Sequence, residues 1–192
     1  MTKKIALGVL FFYCLVLMPA AAWGQDPSLP SDPDITVIVD ENKTLKQELD
    51  ITDLNRITLL QMGQSNRATI QQLSGNSDPN LAKISQVGDE NMSFLLQAGQ
   101  HNASEIDQFG DGNMFLGIHT GENIINTVQQ TGNENMVRQF LVGKDMDFFI
   151  EQNGNGHTLN QLQGGGGIGY KVTQTGSEGM NITILQNYVL RR

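Results

Sequence analysis

Residues 86–108 read QVGDENMSFLLQAGQHNASEIDQ, and one order of residue kinds occurs twice within them: a glutamine, a glycine two places on, an asparagine three places later, then alternation to the next glutamine. The unit is eleven residues long. Followed outward, its glycine returns at Gly88, Gly99, Gly110, Gly121, Gly132, Gly143, Gly154, Gly165 and Gly176, with an earlier member at Gly63. A fixed period of this kind implies a stack of similar supersecondary units instead of an irregular globule.

Between an asparagine position and the next glutamine, apolar and polar residues alternate, as in Asn55-Arg-Ile57-Thr-Leu59-Leu-Gln61. A period of two is that of a β-strand. Counting on gives twelve strands, ending near residues 61, 72, 86, 97, 108, 119, 130, 141, 152, 163, 174 and 186. Four residues join most neighbours, with glycine second in the connection, where a tight turn can demand positive φ. Two connections are longer, Leu73 to Pro79 and Thr175 to Gly179, and insertions in turns cost little. Two strands and two turns make 22 residues. The expected fold is therefore all-β: a two-sheet β-solenoid of six rungs, with strands 22 residues apart stacked in register at about 4.8 Å.

Alternation places Ile57, Leu59, Ile84, Ile106, Val128, Phe148, Ile150 and Val172 on the inner face of the first sheet. Ala68, Ile70, Leu95, Phe115, Val137, Leu159, Ile182 and Ile184 face them from the second. The glutamines share this inner phase. A buried primary amide costs about 1 to 3 kcal/mol when unpaired, but stacked on its like it can donate to one rung and accept from another. The expected ladders are Gln61, Gln86, Gln108, Gln130, Gln152 and Gln174 in the first sheet and Gln72, Gln97, Gln163 and Gln186 in the second, interrupted by His119 and Leu141. Asparagines form a second set, Asn66, Asn91, Asn113 and Asn135 in one sheet and Asn102 with Asn55 and Asn80 in the other. Ile124, Met146, Ile168, His157 and Met180 replace them later, so the last rungs read as the less regular end.

The outer phase of the second sheet is apolar on three successive rungs: Met92, Phe94 and Leu96, then Met114, Leu116 and Ile118, then Met136, Arg138 and Phe140. The first sheet instead shows Lys83, Glu105, Asp107, Asp147, Glu151 and Lys171. A broad apolar surface suggests a contact face. It is expected either to pair filaments laterally or to be covered by the run Ile35 to Val39.

The chain of 192 residues carries a formal charge of -8. Residues 1–24 combine Lys3 and Lys4 with an apolar run from Ile5 to Met18 and small residues before Gln25, the pattern of a signal peptide cut after Gly24. Without the two lysines of that leader, 10 basic residues face 20 acidic ones, a net charge of -10. Such a surface repels nucleic acid and anionic lipid. The single cysteine, Cys14, also lies in the leader. Residues 25–54 then read as a linker or cap segment: a proline- and aspartate-rich start, a short strand Ile35 to Val39, and a possible brief helix over 41–54. The repeat domain is expected over 55–192.

No cofactor, metal or catalytic set is expected. His101, His119 and His157 are not at ligand spacing. The glycine-rich turns precede strands, whereas a phosphate cradle needs a helix to follow. Calcium-binding loops of the β-helix kind need a nine-residue period.

QMGQSNRATIQQ (61–72), QVGDENMSFLLQ (86–97) and QAGQHNASEIDQ (97–108) resemble the curlin repeat, QxGxxNxA followed by a glutamine six places after the asparagine. Departures are that the alanine is kept only at Ala68 and that Asn55 stands where a typical repeat opens on serine. The resemblance implies a non-enzymatic bacterial subunit exported across the outer membrane through a dedicated pore with accessory proteins. It implies polymerisation with itself and with a homologous curlin subunit into extracellular, cell-surface amyloid fibres of biofilm matrix, as the major or as the minor, nucleating subunit. A six-rung coil with two open edges would add copies head to tail without closing. A capped monomeric solenoid, serving as an adhesin or carbohydrate binder, is the alternative.

Overall fold

The computed structural model describes residues 35–41, 45–51, 55–73 and 79–187, so the expected leader and the terminal Arg191 and Arg192 lie outside the described residues. Among the described residues there are eleven strands and no helix. Nine build the coil: β3 (Asn55–Met62), β4 (Asn66–Leu73), β5 (Asn80–Val87), β6 (Met92–Gln100), β7 (Ala103–Phe109), β8 (Met114–Thr131), β9 (Met136–Gly154), β10 (Thr158–Gly176) and β11 (Asn181–Asn187).

Every pairing within the coil is parallel and in register. Gln61 lies beside Gln86, Gln86 beside Gln108, and Gln108 beside Gln130, the first step spanning 25 residues because of the long Leu73 to Pro79 connection and the others 22. The all-β, two-sheet solenoid of six rungs is thus the fold the chain adopts. Three strands are longer than the alternation suggested: β8, β9 and β10 each run through a corner and serve both sheets, because the corner residues Gly121, Gly143 and Gly165 also stack on one another. The core is a narrow column between the sheets, made of Ile57, Leu59, Ile84, Leu95, Ile106, Phe115, Val128, Val137, Ile150 and Leu159, with Val172, Ile182 and Ile184 partly covered at the last rung.

The glycine comb has a cause beyond turn conformation. Gly88 has φ +116°, and a Cβ on it would overlap the carbonyl oxygen of Gly110 in the rung above. Stacking at rung spacing leaves that carbonyl no other place, so both the dihedral and the neighbour exclude a side chain. Two residues further on, the corners that begin at Gly63, Gly88 and each comb glycine from Gly99 to Gly165 hold a second left-handed residue, which is a non-glycine at Ser65, Glu90, His101, Asn123, Glu134 and Asp145.

The remaining two strands correct the expectations for the N-terminal segment. Residues 41–54 contain a strand, β2 (Leu45–Ile51), and no described helix. Leu45, Leu49 and Ile51 keep the period of two, and an unpaired rung edge beside them selects the strand. β1 (Ile35–Glu41) pairs antiparallel with β4, Ile35 opposite Gln72 and Glu41 opposite Asn66. β2 pairs antiparallel with β3, Leu45 opposite Gln61 and Ile51 opposite Asn55. The first rung is therefore covered on both sheets, and β1 extends the edge of the second sheet instead of lying on its apolar outer face. Among the described residues, the edge formed by β11 and the second half of β10 has no partner beyond it, whereas the first rung, expected to be open as well, is paired.

Gly88→Ala is expected to lower stability by more than about 2 kcal/mol, because a left-handed φ and a steric overlap act together. Glu90→Gly, at φ 58°, relieves left-handed strain alone and is expected to be neutral or to stabilise by up to about 1 kcal/mol. Denaturant midpoints of the two variants measure this difference.

Candidate functional site

The side chains that carry a repeating chemistry lie along the inside of the coil. In the first sheet each glutamine donates its Nε2 forward to the Oε1 of the next: Gln61 to Gln86 at 2.6 Å, Gln86 to Gln108 at 2.8 Å, Gln108 to Gln130 at 2.8 Å, Gln130 to Gln152 at 2.9 Å and Gln152 to Gln174 at 2.8 Å. All six are fully buried. The second amide hydrogen reaches across the coil to a backbone carbonyl, as from Gln108 to Met92 at 3.2 Å and from Gln130 to Met114 at 3.1 Å. One primary amide thus joins neighbouring rungs and opposite sheets at once. The ladder has a direction: acceptors point to the first rung and donors to the last.

The asparagines work at the corners. Each Oδ1 accepts the backbone N–H of the equivalent residue one rung on, Asn66 from Asn91 and Asn113 from Asn135 among them. From Asn66 to Asn135 each Nδ2 donates to a comb glycine, Asn66 to the carbonyl of Gly88, Asn91 to that of Gly110 and Asn102 to that of Gly121 among them. Glycine and asparagine therefore recur together because one supplies the carbonyl the other binds. His157 substitutes for this chemistry. Its Nδ1 accepts from the Met180 N–H at 3.1 Å and its Nε2 donates to the Asn153 carbonyl at 3.3 Å, the i−4 carbonyl that Asn135 reaches from its own place.

The second-sheet ladder does not run through. Gln72 donates to Gln97, but Gln97 then turns to Ser104, whose hydroxyl lies 3.1 Å from Nδ1 of His119. The gap is filled by residues that the alternation contains and the glutamine motif conceals. Asn126 and Gln139 exchange hydrogen bonds in both directions, Gln139 continues to Gln161, and Gln161 donates to the Tyr170 hydroxyl. Counting in twos from Gln130 puts Asn126 inside, which is the signal that could have found this set.

The late rungs are not simply less regular. Ile124, Met146 and Ile168 replace asparagines at the corner where Leu141 replaces a glutamine, and together with Phe148 and Tyr170 they close a separate apolar cluster. Phe148 and Tyr170 meet edge to face at 4.8 Å. The exchange removes both polar columns at one corner, and the residue it leaves unsatisfied is His119, which stacks beside Leu141 and whose buried Nε2 has no hydrogen-bond partner. Gly117 is a further accommodation: a Cβ there would overlap the Phe115 ring.

The outward residues Met92, Phe94, Leu96, Met114, Leu116 and Phe140 lie partly or well exposed on the second sheet, whereas Ile118 is only 3% exposed although its phase is outward. Leu96 and Phe140 stand directly beside Ile118 on the adjacent rungs. On the first sheet Lys83 pairs with Glu105, and Lys171 pairs with Glu151 while sitting 4.7 Å above the Phe149 ring. Among the described residues, no group of acidic, histidine or cysteine side chains has a metal-holding arrangement.

A parallel solenoid with directional amide ladders, and with one edge that has no partner among the described residues, defines a class of protein that is built by rung stacking. Residues 78–115 match the family model of the curlin associated repeat, which is consistent with a member of the curlin family. Comparison with curated proteins and with solved structures returned no match.

His119 is completely buried, and desolvation holds its imidazole down to about 3. Because the folded value lies below the unfolded one, the stability that depends on a neutral ring is complete above pH 6.5 and is lost as pH falls toward 3. Between pH 7 and pH 4 this loss should amount to about 3 kcal/mol. His119→Gln should remove that part of the acid sensitivity, seen as the difference between wild-type and variant unfolding midpoints at the two pH values.

Proposed function

We propose that the protein is an exported structural subunit of curli-type extracellular amyloid fibres, polymerising by edge-to-edge rung stacking and taking no part in catalysis. The observation that carries this reading is the first-sheet glutamine ladder, unbroken over six rungs and reaching, at Gln174, an edge with no partner among the described residues. Rung six also matches rung one in kind: continuing the 22-residue step sets Gln174 against Gln61, Gln186 against Gln72 and Ile184 against Ile70 of a second copy. Addition of this sort is head to tail and does not close, which gives a filament. The family match supports the reading. So does the leader pattern of residues 1–24, which fits export through the outer-membrane pore and accessory proteins of such systems to the cell surface. The partners are further copies and a homologous curlin subunit.

Within that class, the interrupted second ladder favours the minor, nucleating role, since a junction that tolerates mixed side chains suits a start more than a uniform fibre. The covered first rung favours a different reading, the capped monomeric adhesin or carbohydrate binder. Against it stands the edge of β10 and β11, which has no partner among the described residues and which a permanent monomer would be expected to block.

The experiment is incubation of the purified protein with thioflavin fluorescence and fibre diffraction. Rising fluorescence with a meridional spacing of about 4.8 Å is expected, and a stable monomer at high concentration refutes the proposal. Acceleration of a homologous subunit by small amounts of this one identifies the nucleating role.

The outward apolar residues are proposed to pair filaments side by side. Phe94→Lys with Leu116→Lys should leave single filaments growing at wild-type rate but unbundled in electron micrographs. Unchanged bundles would remove the lateral role.

A further inference from the structure

The acceptor end of the ladders is buried but unsatisfied. Oε1 of Gln61 and Oε1 of Gln72 have no hydrogen-bond partner, although both side chains are 0% exposed. In every later rung of the first sheet the same atom accepts from the glutamine before it. What lies beyond Gln61 and Gln72 is the cover: Leu45 of β2 stands opposite the first and Ile35 of β1 opposite the second, residue types without a side-chain amide. Two buried carbonyl oxygens without donors are a standing cost to the covered state.

What the cover supplies instead is antiparallel backbone pairing. Asp50 stands opposite Arg56 and Asp40 opposite Arg67 in the antiparallel register. The two strands are also antiparallel to a coil whose every other pairing is parallel, so they end the stack without extending it.

At the other end the donor is already available. Gln174 directs Nε2 to the carbonyls of Thr158 and Met180, the first being the cross-coil bond of its predecessors and the second taking the place of a next glutamine. A Cβ on Gly176 would meet nothing within 4 Å, whereas the other first-sheet comb glycines face the next rung's carbonyl. The last rung has the shape of an interior rung with its neighbour removed.

We propose that β1 and β2 are a displaceable cover over the surface that receives the last rung of a second copy, so that each junction in the fibre requires one cover to be released. The proposal rests on the stacking function above. The second copy supplies what the cover lacks: Gln174 donates to Gln61 in place of Met180, and Gln186 meets Gln72. Release precedes docking, so it sets the lag and limits elongation, while the orphaned acceptors keep the covered state from being too stable to open.

The test is a reversible lock. In the full chain carrying Cys14→Ser, Ile38→Cys with Thr69→Cys and Glu48→Cys with Thr58→Cys place cysteines at directly opposed positions, a separation that a disulfide can span. Oxidised protein is expected not to elongate, alone or with seeds beyond one copy per filament. Reduction of the same sample should restore wild-type growth, which shows that the coil had folded. In a companion variant, Val37→Pro with Gln47→Pro weakens the cover without touching the ladders and should shorten the lag several-fold. Oxidised protein that elongates at the wild-type rate, or proline variants with an unchanged lag, would overturn the cover's role. Wild-type protein that forms no fibres under any condition would instead overturn the stacking function, and the cover proposal with it.

Discussion

The interaction on which this molecule depends is the hydrogen bond from one buried glutamine amide to the next. An amide inside a protein is a liability unless both its hydrogens and its oxygen are engaged. Here the forward hydrogen goes to the next rung, the other crosses to a carbonyl of the facing sheet, and the oxygen accepts from behind. That arrangement works only when rungs are stacked in register, which in turn requires the glycine comb, since a side chain at Gly88 or Gly110 would strike the carbonyl of the rung above. Sheet geometry, corner glycines and inner amides are therefore one constraint seen at three places. The apolar column fills the same interior, but residues such as Ile106 and Val128 would pack in several registers, whereas a glutamine slipped by one place would face outward and leave its neighbours unpaired.

A ladder with direction gives a molecule two unlike ends. Gln61 and Gln72 lack donors, Gln174 takes a local substitute for its acceptor, and the chain covers only the first of these ends with strands of its own. A protein that places two strands on one edge while the other has no partner among the described residues is not simply guarded against aggregation. The asymmetry suits controlled addition, in which the readiness of one end depends on the state of the other copy's N-terminal strands.

Much of this could be read from residues alone because a period of eleven is so constraining. The rungs, the inner residues Ile57 to Ile184, and the positions of the glutamines and asparagines all follow once alternation is joined to the comb. What could not be read depends on unlike residues meeting across the coil. Asn126 and Gln139 lie 13 residues apart and exchange two hydrogen bonds, a contact invisible to a motif counted along one column. The apolar corner of Ile124, Leu141 and Met146 looked like decay in two separate columns, because only the folded coil shows that Phe148, Ile168 and Tyr170 close with them into one apolar cluster. Residues 41–54 read weakly as a helix since their apolar spacing is sparse, and the choice of strand was made by the rung edge beside them, a tertiary effect overriding local preference. His157 shows the reverse case: a residue that breaks the motif in letter keeps its hydrogen bonds in substance.

The claim that matters most is that the ladder is completed between molecules. It can be tested in fibres grown from an equal mixture of two preparations, one labelled with nitrogen-15 in glutamine side chains and the other with carbon-13. Magnetisation passes between Nε2 and the side-chain carbonyl carbon only where glutamines of different copies are within hydrogen-bond reach. The account predicts such transfer at the Gln174 and Gln61 junction, lost in Gln61→Leu fibres. Well-formed fibres with no transfer between copies would contradict it.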